Sequence, residues 1–105
     1  MKMRKIINGM RYDTEKAIEV GTYCTPGSTS DFNWFKATLY KTPRSHRFFL
    51  AGEGGALSRF AQSCGQNTWT GGSDVIPLED GEALEWAERY LGIEEVEEHF
   101  DLDEA

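Results

Sequence analysis

A chain of 105 residues, 39% hydrophobic and 12% aromatic, is long enough to close one core without metal or disulfide staples and too apolar for a disordered chain. Its formal charge of −7 is unevenly divided. Residues 79–105 hold twelve acids against Arg89, a net −11, while the first 78 residues hold ten bases and six acids, a net +4, so any long-range partner meets two different fields. No apolar run approaches the ~20 residues that span a bilayer, and the Lys/Arg-rich start has no apolar segment behind it as a signal peptide would; the expected location is the cytoplasm.

In chain order, Ile6-Ile7, Asn8-Gly9 and Met10-Arg11-Tyr12 predict a hairpin, because a type I′ turn needs positive φ at both central residues. Thr14–Ala17 is a polar connection with room for one helical turn. Ile18, Val20 and Thr22 alternate with Glu19, Gly21 and Tyr23 as a third strand ending near Cys24, and 25–31 (TPGSTSD) has loop composition. A central hairpin follows. Phe35, Ala37 and Leu39 alternate with polar residues, Arg47–Ala51 is rich in Phe and Leu, and Thr42-Pro43-Arg44-Ser45-His46 joins the two as a loop. Gly52-Glu53-Gly54-Gly55 reads as a glycine loop. It is expected to feed a short helix with Leu57, Phe60, Ala61 and Cys64 on one face and Gly65 as terminator. Residues 66–74 (QNTWTGGSD) read as irregular or edge chain with Trp69 over the core, and Val75-Ile76-Pro77 as a brief extended piece. Ala83, Leu84, Trp86, Ala87, Tyr90 and Leu91 give an amphipathic helix over Glu79–Leu91. Ile93, Val96 and Phe100 share a face of a second, shorter one, and the last residues fray.

The expectation is a single α+β domain over 1–105, with residues 78–105 as its acidic helical end. An antiparallel sheet of four to five strands, built from the N-terminal and central hairpins, would have the short helix and the C-terminal helices on one face. Its predicted core is Ile6, Tyr12, Val20, Phe35, Leu39, Phe48, Leu50, Leu57, Phe60, Trp69, Ile76, Leu84, Trp86, Ala87 and Leu91.

Lys5-Ile6-Ile7-Asn8-Gly9 with Arg11-Tyr12-Asp13-Thr14, then Ser28-Thr29-Ser30-Asp31-Phe32, Leu39-Tyr40, Phe49-Leu50 with Gly52-Glu53-Gly54-Gly55, Ser58, Ala61, and Ile76-Pro77-Leu78 before Glu85-Trp86 form an ordered set. Over nearly the whole chain this set resembles a recurrent family of small, uncharacterised acidic bacterial proteins often carried on mobile elements. Glu79 departs from it where a Ser or Thr cap is usual, and Gly81 where Glu is common. The resemblance implies no catalytic or binding residue.

The chemistry-bearing residues are sparse. His46, His99, Cys24 and Cys64 lack metal-ligand spacing, the two cysteines read as reduced, partly buried thiols, and Ser45 beside His46 is a turn pair without an orienting acid. No catalytic constellation and no cofactor motif is present in the sequence, so the expectation is a non-enzyme. Gly52–Gly55 before a helix could cradle an anion, or be a tight reversal held by a semi-buried Glu53, the preferred reading. Lys36, Lys41, Arg44, Arg47 and Arg59 among Phe35, Tyr40, Phe48 and Phe49 have the ingredients of a nucleic-acid surface, or of a charged sheet edge. With Gly54 and Gly55, the residues Lys41, Arg44, Arg47 and Arg59 form the alternative anion or nucleic-acid surface. The acidic end offers three readings: a solubilising face, a carboxylate surface (Glu85, Glu88, Glu94, Glu95, Glu97, Glu98) for a basic protein partner, or a counter-charge to the chain's own basic part. The partner-binding reading ranks first.

Overall fold

The computed structural model describes residues 3–25, 33–55, 60, 62–65, 68–70, 72–100 and 102. Within them the chain is α+β and built around β5 (Phe48–Gly54), where Phe48, Phe49, Leu50 and Ala51 are consecutive buried residues. Successive side chains in a strand point to opposite faces, so such a run requires cover on both. The sheet order is β3 (Ile18–Cys24), β4 (Phe35–Lys41), β5, β8 (Gly72–Leu78), all antiparallel.

On one face, α1 (Asp80–Tyr90) and α2 (Ile93–His99) bring Ala83, Trp86, Ala87 and Val96 against Val20, Ala37, Leu39, Phe48 and Leu50, with Phe60 joining them. A register shift between Glu19 and Gly21 accompanies the buried Val20. Aromatic contacts extend this core, with Tyr23 and Tyr90 at 4.7 Å and Phe48 and Phe100 stacked at 4.9 Å; such pairs add about 0.5–1.5 kcal/mol beyond area burial. On the other face Tyr12, Tyr40, Phe49, Ala51 and Val75 form a second core, against which Met3, Ile7, Met10 and Ala17 pack.

That cover comes from β1 (Arg4–Ile7) and β2 (Met10–Asp13), a hairpin with Asn8 at φ 52° and Gly9 at φ 78°, as the Asn-Gly turn predicts. It is a separate two-stranded sheet, which corrects the expectation that it extends the main one. Its ends are clasped by Thr14, whose Oγ1 accepts from the Met3 N–H at 3.0 Å and lies 3.2 Å from the Met3 carbonyl as donor. The Ala17 N–H reaches the Asp13 carbonyl at 3.1 Å, the single turn anticipated there.

Four further expectations are corrected. Gly52, Glu53 and Gly54 are not a loop: they extend β5 opposite Ala37, Lys36 and Phe35. The helix expected through Cys64 is replaced by β6 (Gln62–Gly65), paired with β7 (Thr68–Thr70), so Cys64 and Gly65 lie in a strand, and the described residues of 66–74 are in edge strands, the edge alternative and not the irregular one. β8 runs seven residues, longer than a brief piece, and holds Pro77 because it is an edge strand of its sheet. Ile6 is 68% exposed and Ile93 74% exposed, while Phe49 is fully buried. Leu57 and the loop 26–31 lie outside the described residues, as does the Trp69 side chain.

Candidate functional site

Helix α1 begins with a reciprocal arrangement that uses glutamate where serine or threonine is common: the Glu79 N–H donates to Glu82 Oε1 at 3.0 Å, satisfying a donor otherwise left open at a helix start. From there Ala83, Trp86 and Ala87 turn inward at i, i+3, i+4 spacing. The same period leaves Glu82, Glu85, Glu88 and Arg89 exposed. In α2 the inward residue is Val96, and Glu94, Glu97 and Glu98 are exposed. The two helices therefore bury Ala83, Trp86, Ala87 and Val96 against the sheet, leave Ile93 exposed and turn carboxylates outward.

Glu95 does not belong to that outer set. It is half-buried, its Oε1 accepts from the Gly92 N–H at 3.4 Å, and its Oε2, together with the Leu91 methyls, occupies the space that a Cβ on Gly21 would need. It caps α2 and packs on β3. His99 is also drawn inward, its side chain 14% exposed and its Nε2 3.9 Å from Glu98. Glu79, Asp80 and Glu82 were outside the predicted acidic site yet are exposed at the start of α1; the acidic composition of 79–98, in which Arg89 is the one base, was the signal for them.

The third reading of the acidic end, internal counter-charge, gains no direct ion pair among the described residues. The basic hairpin and the helices cover opposite faces of one sheet. Lys5 of the hairpin pairs instead with Asp74 on β8, at 2.7 Å. Among the described residues no ion pair joins the helix carboxylates to a Lys or Arg.

The alternative basic surface is dispersed. Arg44 and Arg47 are exposed on the β4–β5 turn, which closes through Thr42: its N–H donates to the Arg47 carbonyl at 2.8 Å, its Oγ1 accepts from the Arg47 N–H at 2.9 Å, and His46 adopts φ 54°. Lys41 is half-buried with its ammonium 5.8 Å from the Phe48 ring centroid. Lys36 is exposed on β4. Gly54 and Gly55 sit at the opposite end of β5, about 20 Å along a seven-residue strand. Gly54 is held in the ladder between Phe35 and Gly72, and the Gly55 N–H already donates to the Trp34 carbonyl at 2.7 Å. Gly54 is thus part of a sheet and the Gly55 donor is already taken, so neither is the open loop N–H that an anion cradle uses. Glu53 is exposed and is not the semi-buried acid expected. Arg59 lies outside the described residues.

Cys24 is a free, exposed thiol rather than a partly buried one. Among the described residues no group of three His, Cys, Asp or Glu side chains is placed to hold a metal, and no described helix is long and apolar enough to cross a membrane. No family model, curated protein or solved structure matches this chain.

Proposed function

We propose that the chain is a non-catalytic accessory protein that docks a basic protein partner through the outer face of α1 and α2, using Glu85, Glu88, Glu94, Glu97 and Glu98. The observation that carries this reading is the division of labour within the two helices. Apart from the exposed Ile93, their apolar residues are committed to the sheet, and these five carboxylates are all exposed. Exposed like charges repel one another, and a facing row of Lys or Arg relieves that repulsion while steering encounter over a Debye length of about 8 Å at physiological ionic strength. Glu95 is removed from the working set because it caps α2. Resemblance to acidic proteins of mobile elements is in keeping with a partner that itself carries a basic surface.

The test is capture from a lysate of the native cells at low and high salt, with and without nuclease. The reading expects a basic protein that is retained at low salt, released at high salt and indifferent to nuclease. Recovery that nuclease abolishes would transfer the activity to Arg44 and Arg47 and to nucleic acid.

A further inference from the structure

A cleft of about 530 Å³ opens between the β4–β5 turn and the junction of β8 with α1, a volume in the range of small-molecule sites. Its walls carry opposite charge. Phe48 and Leu78 are register partners, so the next residues outward, Arg47 on the turn and Glu79 before α1, stand across from one another, and Asp80 follows Glu79 along the same wall. Among the described residues neither Arg47 nor Glu79 enters an ion pair.

Tyr12 reaches this cleft from the hairpin. It is only 5% exposed, its ring edge-on to Phe49 at 5.4 Å, and it lines the cavity. Its hydroxyl has no hydrogen-bond partner among the described residues, and since no buried side-chain polar atom is left unsatisfied, solvent must reach that oxygen. A tyrosine buried to this degree ordinarily finds a partner for its hydroxyl. Here the residue lines the cleft.

We propose that the cleft binds a small zwitterion of free amino-acid size. Its carboxylate would face Arg47 and accept from the Tyr12 hydroxyl, its ammonium would face Glu79 and Asp80, and an aliphatic side chain would lie on Phe48 and Leu78. A polyanion such as a nucleotide is repelled by the acidic wall, and a plain cation leaves Arg47 unanswered; a molecule carrying both charges satisfies both walls. This site is independent of the outer helix face.

Backbone amide NMR titration with free L-leucine and L-methionine tests the assignment, with N-acetyl-L-leucine and L-leucinamide as the ligands lacking one charge each. The expected result is saturable shifts confined to Tyr12, Ser45–Phe48 and Leu78–Glu82 with the free amino acids, and none with the two derivatives. Tyr12→Phe keeps the ring on Phe49 and should weaken binding about tenfold, the effect of one hydrogen bond to a charged group. Arg47→Gln, at an exposed turn position, should weaken it at least as much; unchanged amide spectra elsewhere verify both folds. The proposal is overturned if neither free amino acid shifts these amides at millimolar concentration, if a derivative binds as well as its parent, or if Tyr12→Phe and Arg47→Gln bind like the wild type.

Discussion

Gly52 lies so close to Lys36 across the β4–β5 ladder that a Cβ built on it would collide with the Lys36 carbonyl oxygen and stand 2.8 Å from Ala37 Cα. Both obstacles are backbone, and they sit in two central strands of the sheet, so neither can give way cheaply. Gly52→Ala should therefore cost about 1–3 kcal/mol, the usual penalty of overpacking a filled interior, measured as a lower midpoint in urea with an unchanged slope. Gly81→Ala is the matching control. A Cβ there meets nothing within 4 Å, and alanine in an open helical position should add about 0.5–1 kcal/mol.

The N-terminal hairpin is held less by charge than by Thr14. Lys5 and Asp74 are both well exposed, and pairs of that kind contribute about 0–1 kcal/mol. Thr14 is 7% exposed, with its hydroxyl bonded to both backbone groups of Met3. Thr14→Val leaves the Met3 N–H unanswered, while the Met3 carbonyl keeps the Thr14 N–H at 3.0 Å, and should cost about 1–3 kcal/mol, whereas Lys5→Ala should cost under about 1 kcal/mol. Hydrogen exchange of the β1 and β2 amides would rise selectively in the first variant and barely in the second.

Tyr40 gives the fold a dependence on alkaline pH. Burial, with the Glu19 carboxylate adding to it, raises its hydroxyl above the ordinary value of 10.0, and the hydrogen bond with Thr38 offsets part of the rise. A raised value means the folded chain holds the proton more tightly than the unfolded one, so this contribution is fully present below pH 10 and is lost as pH climbs through the folded value. Tyr40→Phe retains the ring stacked on Phe49 at 5.2 Å and should flatten the fall in stability above about pH 10. Denaturation midpoints of the two proteins between neutral and strongly alkaline pH measure the difference.

What was legible in the sequence follows the range of the forces involved. Asn8-Gly9 sets its turn from its own backbone preferences, and the inward stripe of α1 follows from local period. Gly52 was misread because its role is a tertiary one: it permits close strands, not a loop, and only the neighbour Lys36 reveals it. Ile6 and Ile7 are adjacent, so one must face out; Ile7 is the one that pairs with Met10, which packs with Tyr12 on the core side, while Ile6 pairs with the exposed Arg11. Phe49 was missed because a strand covered on both faces cannot be told from an alternating one until the hairpin's position is known. At the candidate site, the outward glutamates were readable from composition and spacing. The diversion of Glu95 was not, because it depends on Gly21 and Leu91, which other elements bring to it.

The central claim is that exposed helix carboxylates, and not the basic turn, hold the partner. The most direct measurement is the affinity of the captured partner at low salt for three proteins: wild type, the triple variant Glu88→Lys/Glu94→Lys/Glu98→Lys, and the double variant Arg44→Glu/Arg47→Glu. All five positions are exposed, so the folds should survive. The account predicts at least about a tenfold loss for the triple variant and wild-type affinity for the double. Wild-type affinity in the triple variant, or loss confined to the double, would contradict it.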